Sequence, residues 1–171
     1  MFYAVRTNNP SIFNWFYDTS SQVDFFKARG EQNYKGQTIE HIVCIHRENM
    51  EIVDTIKPRP DIKDYYGNLP LYYSLLKNDV EMVKYLFKKG KDYQSLRNYE
   101  NESIFHMAGK SNSIDSLIIL NDGMPYQEEI IKKDYKGDTP MHKAGKRGHI
   151  KMLEFMLAPT NSQTDRMILD L

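Results

Sequence analysis

Asp134-Tyr135-Lys136-Gly137-Asp138-Thr139-Pro140-Met141-His142-Lys143-Ala144, followed after a short gap by Gly148-His149-Ile150, is the stretch whose reading decides the fold. Gly137 suits a turn position with positive φ, because it has no Cβ to clash. Thr139 stands where a hydroxyl caps a helix N-terminus. Pro140 follows at the first helical position, where its missing N–H costs nothing. Ala144 offers a small surface for close helix packing, and Gly148 is placed to end the helix in the left-handed region. The spacing of Ile150, Met152, Leu153, Phe155 and Met156 predicts a second helix.

The same order of residue types recurs upstream. Asn98-Tyr99-Glu100-Asn101-Glu102-Ser103-Ile104-Phe105-His106-Met107-Ala108 aligns position for position, with Ile114, Leu117, Ile118 and Leu120 as its second helix. Asp64-Tyr65-Tyr66-Gly67-Asn68-Leu69-Pro70-Leu71-Tyr72 precedes the run Val80 to Phe87, and Asn33-Tyr34-Lys35-Gly36-Gln37-Thr38-Ile39-Glu40-His41 precedes Met50 to Val53. The tyrosines at 34, 65, 99 and 135 recur after 31, 34 and 36 residues. Self-similarity at such a period predicts stacked units, each covering the apolar face of its neighbour.

A turn opening a short helix with Thr-Pro-Met-His resembles the signature of the ankyrin repeat. The resemblance implies an all-α ankyrin-repeat solenoid of stacked helix-turn-helix units with projecting β-turns. It would run as one array over residues 1–171, in units 1–32 (partial), 33–63, 64–97, 98–133 and 134–171. It also implies that His41, His106 and His142, which share one slot, are structural and bond backbone groups of the turns. Two copies depart from the pattern. Leu69-Pro70-Leu71-Tyr72 lacks both the threonine cap and the histidine. The copy at Asn33 has Ile39-Glu40 in place of Pro-Leu and an extra residue before Met50, so its inner helix is expected to be shifted.

Composition narrows the functional classes. Lysine plus arginine equals aspartate plus glutamate at 23 each, so no global charge favours nucleic acid or membrane. Cys44, flanked by Val43 and Ile45, is the only cysteine; it reads as a small buried hydrophobe in a reducing, cytoplasmic setting. No apolar run approaches the roughly 20 residues of a membrane span. Phe2, Tyr3, Phe13, Trp15, Phe16 and Tyr17 crowd the N-terminal segment, a degenerate or truncated unit that reads either as a cap with its rings packed inward or, preferred because an end should be more polar, as a piece of something longer. The connection Asn121 to Tyr126 is expected to protrude, and Asp165 to Leu171 to add a last helical turn.

Neither enzymatic activity nor a cofactor or metal is expected. His41, His106 and His142 recur at the repeat period, which separates neighbours by about 10 Å of helix packing. A shared zinc holds its nitrogens at roughly 2 Å. There is no phosphate-cradling glycine loop, GxSxG or HExxH pattern. Asn101-Glu102-Ser103 matches a glycosylation sequon, but it falls in a helix-opening turn and reads as incidental.

What remains is surface. The resemblance implies that partners are gripped by turn tips and by the ends of the inner helices. The tip positions are Tyr34, Lys35 and Gln37, Tyr65, Tyr66 and Asn68, Tyr99, Glu100 and Glu102, and Tyr135, Lys136 and Asp138. A second column places a base in each unit: Arg6, Arg47, Lys77, Lys110, and Lys146 or Arg147. Two readings fit these columns. In one, tyrosines stiffen neighbouring turns and the bases only solubilise the inner face. In the other, Tyr34, Tyr65, Tyr66, Tyr99 and Tyr135 with Arg47, Lys77, Lys110, Lys146 and Arg147 line a concave patch for a protein with an acidic face. The expected function is a protein–protein interaction module, monomeric on its own, acting as a scaffold, a recognition domain or an inhibitor that covers its target. The alternative is the targeting half of a larger enzyme or host-directed effector.

Overall fold

The computed structural model describes residues 30–46, 50–89, 93, 96–123 and 128–158, and singly Arg6, Asn9, Ser11 and Asp18. Among these residues there are eight helices and no strand. They form four pairs: α1 (Ile39–His46) with α2 (Met50–Ile56), α3 (Pro70–Leu76) with α4 (Val80–Lys89), α5 (Ile104–Ser111) with α6 (Ile114–Gly123), and α7 (Pro140–Lys146) with α8 (Ile150–Leu157). The first member of each pair is the inner helix, and α1, α3, α5 and α7 pack on one another in that order. This is the all-α repeat architecture that the sequence predicts.

Each turn is built by its opening residue. Asn33 Oδ1 accepts from the N–H groups of Lys35 and Gln37 at 2.9 and 3.0 Å. Asp64, Asn98 and Asp134 do the same for Tyr66 and Asn68, Glu100 and Glu102, and Lys136 and Asp138, at 2.8–3.0 Å. Asn and Asp suit this position because their short side chains reach the backbone two and four residues on. Adjacent turns are then joined directly: Tyr65 N–H donates to Lys35 O, Tyr99 N–H to Tyr66 O, and Tyr135 N–H to Glu100 O, at 3.0–3.1 Å.

The shared histidine slot works as the resemblance implies, and more widely. The Ser103 N–H donates to His106 Nδ1 at 3.1 Å, so that nitrogen is unprotonated and Nε2–H donates to Asp138 O at 3.1 Å. His41 repeats the arrangement with the Thr38 N–H and Asn68 O, both at 3.1 Å. Where the histidine is lost, the fully buried Tyr72 stands in for it. Its hydroxyl donates to Glu102 O at 3.0 Å, the equivalent carbonyl of the next turn. Burial disfavours the imidazolium of His41 and His106 and lowers both pKa values, although the next turn's carbonyl and nearby carboxylates oppose the shift.

Close packing explains the small residues. Ala108 and Ala144 are fully buried. A Cβ on Gly109 would lie 2.5 Å from Pro140 O, so α5 and α7 meet there at backbone distance. The inner helices α3, α5 and α7 are followed by left-handed residues at Asn78, Asn112 and Gly148, with φ of 51°, 58° and 70°. The outer helices complete the core with Ile52, Val53, Ile56, Met82, Val83, Leu86, Leu117, Leu120, Met152 and Met156.

Two expectations are corrected. The inner helix of the Asn33 copy is not shifted: α1 opens at Ile39, the slot of Pro70, Ile104 and Pro140, because Thr38 and His41 supply the usual capping pair. Asn121, Asp122 and Gly123 do not start a protruding loop but complete the last turn of α6. The aromatic N-terminal cluster, Arg47, residues 124–127 and the 165–171 segment lie outside the described residues.

Candidate protein-interaction surface

The tip tyrosines are exposed and held at the same time. Tyr34, Tyr65, Tyr66, Tyr99 and Tyr135 keep 58–85% of their surface open to solvent. The Tyr65 ring nevertheless lies over Gly36, where a Cβ would come within 2.2 Å of it, and the Tyr99 ring covers Gly67 at 2.8 Å. Gly36 and Gly67 sit at φ of 73° and 76°, so both conformation and proximity demand glycine. Tyr65 and Tyr99 thus pack on the preceding turn without removing their rings from solvent. Lys63 Nζ stands 5.8 Å from the Tyr99 ring centroid, and Lys35 Nζ stands 5.5 Å from that of Tyr34.

Three of the proposed tip residues face inward. Gln37, Glu102 and Asp138 are buried, because the turn directs the residue four places after its opening Asn or Asp back towards the inner helix. There they join a line of polar bridges at the base of the turns. Gln37 Nε2 donates to Tyr73 OH at 2.9 Å, and that hydroxyl donates to Asp64 Oδ2 at 2.5 Å. Asn98 Nδ2 donates to Asn68 Oδ1 and to Glu102 Oε2, each at 3.0 Å. Next comes Lys143, buried with its Nζ 2.6 Å from Asp134 Oδ2, 3.0 Å from Glu102 Oε1 and 3.5 Å from Asp138 Oδ2.

That cluster changes the reading of the basic column. Lys110 Nζ lies 3.3 Å from Glu102 Oε1, and Lys146 Nζ donates to both Asp138 oxygens at 2.7 Å. Both lysines spend their charge on the molecule's own carboxylates. Lys77 and Arg147 are exposed, and no ion pair joins them to another described residue. Burial opposes the charge on Lys143, but the Asp134 and Glu102 carboxylates outweigh it and raise its pKa. Burial likewise works against ionised Asp134, yet Lys143 and the turn's N–H groups hold its carboxyl down to about 2. The cluster went unseen in the sequence because Lys143 aligns with Ile42, Tyr73 and Met107, which carry no common chemistry.

Among the described residues no group of three or more metal-type ligands comes together, and no helix is long and apolar enough to cross a membrane. Both ring nitrogens of His41 and of His106 are engaged by the backbone, which leaves neither available as a base. Ser103 of the sequon is fully buried with its hydroxyl 2.9 Å from His106 Nδ1, and Asn101 Nδ2 donates to Lys133 O at 3.0 Å. The arrangement offers rigid aromatic edges and a few uncompensated cations.

The chain is similar to NF-kappa-B inhibitor alpha of Sus scrofa, at 26% identity over 145 residues covering 76% of this chain and 46% of that protein. It is similar to NF-kappa-B inhibitor alpha of Mus musculus at 24% over 140 residues, covering 75% and 44%. The chain thus spans less than half the length of these curated relatives. A family model described as ankyrin repeats (3 copies) matches residues 1–97, more than half of the chain. The histidine-slot bond from His41 to Asn68 lies within that span, and the same bond recurs beyond it from His106 to Asp138. With the match and the repeated turn geometry together, this chain belongs to the ankyrin-repeat family.

Proposed function

We propose that this chain is a target-recognition module that acts by covering a partner protein, gripped by the turn tips and a concave face of inner-helix ends. One observation carries this reading: five tyrosines stand exposed on turns cross-linked to one another by backbone hydrogen bonds. Tyrosine brings a large contact area and a hydroxyl with few rotatable bonds, and a pre-organised turn lowers the entropy lost on docking. The relatives' name supports NF-kappa-B as the partner. Tyr34, Tyr65, Tyr66, Tyr99 and Tyr135 are the anchors. Arg47, Lys77 and Arg147 favour an acidic face on the partner, whereas Lys110 and Lys146 contribute less because Glu102 and Asp138 already hold them. The module works as a monomer in the cytoplasm, as one array over residues 1–171.

Surface plasmon resonance with immobilised chain and a purified NF-kappa-B protein tests the partner assignment. Saturable binding displaced by porcine NF-kappa-B inhibitor alpha is the expected result. Absence of binding at micromolar concentrations overturns it.

A further inference from the structure

Each unit of the stack is covered by the next through the same few groups. The carbonyls of Lys35, Tyr66 and Glu100 accept from the tyrosine N–H of the following turn. His41, Tyr72 and His106 donate to a carbonyl of that turn. The rings of Tyr65 and Tyr99 lie over Gly36 and Gly67, and Pro140 O closes on Gly109. Leu71, Val83, Phe105 and Leu117 are fully buried. The last described unit carries the same groups uncovered. Among the described residues no N–H donates to Lys136 O. The Thr139 N–H donates to His142 Nδ1 at 3.3 Å, which leaves the proton on Nε2, and no described group accepts it. A Cβ on Gly137 or Gly145 would meet nothing within 4 Å. Met141 and Leu153, in the slots of Phe105 and Leu117, are only half-buried. Ile150 and Leu157 flank Leu153 along the same side of α8, each 66% exposed.

We propose that this end face of α7 and α8 docks the leading unit of a second ankyrin-type array, carried by a partner protein. The internal interfaces of the chain define that occupant. An apolar helix alone satisfies Ile150, Leu153 and Leu157 but not the backbone edge beside them. Lys136 O needs an N–H and His142 Nε2–H needs a carbonyl, and one turn of the ankyrin type brings both. Its aromatic residue then covers Gly137 as Tyr65 covers Gly36, and its inner helix closes on Gly145 as Pro140 closes on Gly109. Burial of the apolar side chains drives the association. The face continues the stack of α1, α3, α5 and α7, so docking extends that stack without rearranging it. Residues 159–171 contain no aromatic residue, so they do not supply the ring that Gly137 receives. The surface lies at the end of the stack rather than along its tips, and it does not depend on NF-kappa-B being a partner.

The test uses the full chain and, as probe, a designed ankyrin array of identical units, each opening with the sequence of residues 134–140. Its first unit is left uncapped and its last is capped by polar residues. Isothermal titration calorimetry is expected to show saturable one-to-one binding. Ile150→Asp with Leu157→Glu should weaken it by at least about tenfold, because docking buries each introduced charge. Gly145→Gln, which fills the open slot, should weaken it as well. All three positions are exposed in the free chain, and circular dichroism verifies that the variants fold. Absence of saturable binding, or binding that survives both sets of substitutions, overturns the proposal. A dimer of the chain alone in sedimentation equilibrium, dispersed by Ile150→Asp, gives the face to a second copy and overturns it too. Tighter probe binding by Met167→Asp gives the face to residues 159–171, with the same consequence. Tyr66→Ala should leave probe binding unchanged, and loss of binding there overturns the assignment to the end face. NF-kappa-B binding, measured separately, reports on the turn-tip reading whichever way the probe result falls.

Discussion

Lys143 occupies a slot that holds Ile42, Tyr73 and Met107 in the other inner helices, and its neighbours explain why a lysine is tolerated there. Tyr73 uses the slot to join its own turn's Asp64 to Gln37 of the previous turn. Lys143 joins Asp134 to Glu102 in the same way, with charge in place of a hydroxyl. Lys143→Met removes the only buried cation of the cluster and leaves buried Asp134 without a cation, a loss of about 3–5 kcal/mol in urea unfolding. Adding Asp134→Asn and Glu102→Gln to that variant should recover part of it. Acid provides a second check. His41 and His106 have lowered pKa values, so the unfolded chain binds protons first, and stability begins to fall as pH drops through about 6.5. Asp134, Glu102 and Asp138 are also held below their usual values. Their contribution is complete above the ordinary carboxylate range and disappears as pH falls from about 4 towards 2. Melting temperatures taken between pH 7 and 2 should therefore decline in two stages, and a flat profile would contradict the account.

At the scale of the element, glycines with different surroundings separate packing from propensity. Gly109→Ala drives a methyl into Pro140 O and should cost about 1–3 kcal/mol by separating α5 from α7. Gly145→Ala, in the equivalent slot of α7 where a Cβ meets nothing within 4 Å, should add about 0.5–1 kcal/mol through helix propensity. Chemical denaturation of the two variants decides the point; equal effects would mean that the inner-helix contact is wrongly placed. The helices themselves were legible because Gly, Pro and Asn mark their ends and apolar residues recur at helical spacing. The direction of Gln37, Glu102 and Asp138 was not, since a polar residue in a turn reads as exposed until the turn's fold-back is known. The same gap hid Tyr72, whose hydroxyl takes over the histidine's bond across about 30 residues of sequence.

Over the whole molecule, the line of turns that joins the units is also the surface proposed for recognition. Tyr65 and Tyr99 cover glycines of the preceding turns, so replacing them disturbs the stack as well as the surface. Tyr66 and Tyr135 are also exposed, and neither ring lies over a glycine, the turn before Tyr135 having Asn101 in that slot, so these two are the probes of recognition. Binding kinetics of Tyr66→Ala and Tyr135→Ala with a purified NF-kappa-B protein, alongside thermal melts, test the central claim most directly. Melting temperatures are expected to stay within the range of ordinary surface substitutions. A faster koff, weakening binding by about 2 kcal/mol, or roughly 30-fold, is expected at whichever tyrosine is a hot spot. Unchanged koff in both variants, with the wild-type chain binding normally, would contradict recognition through the turn tips.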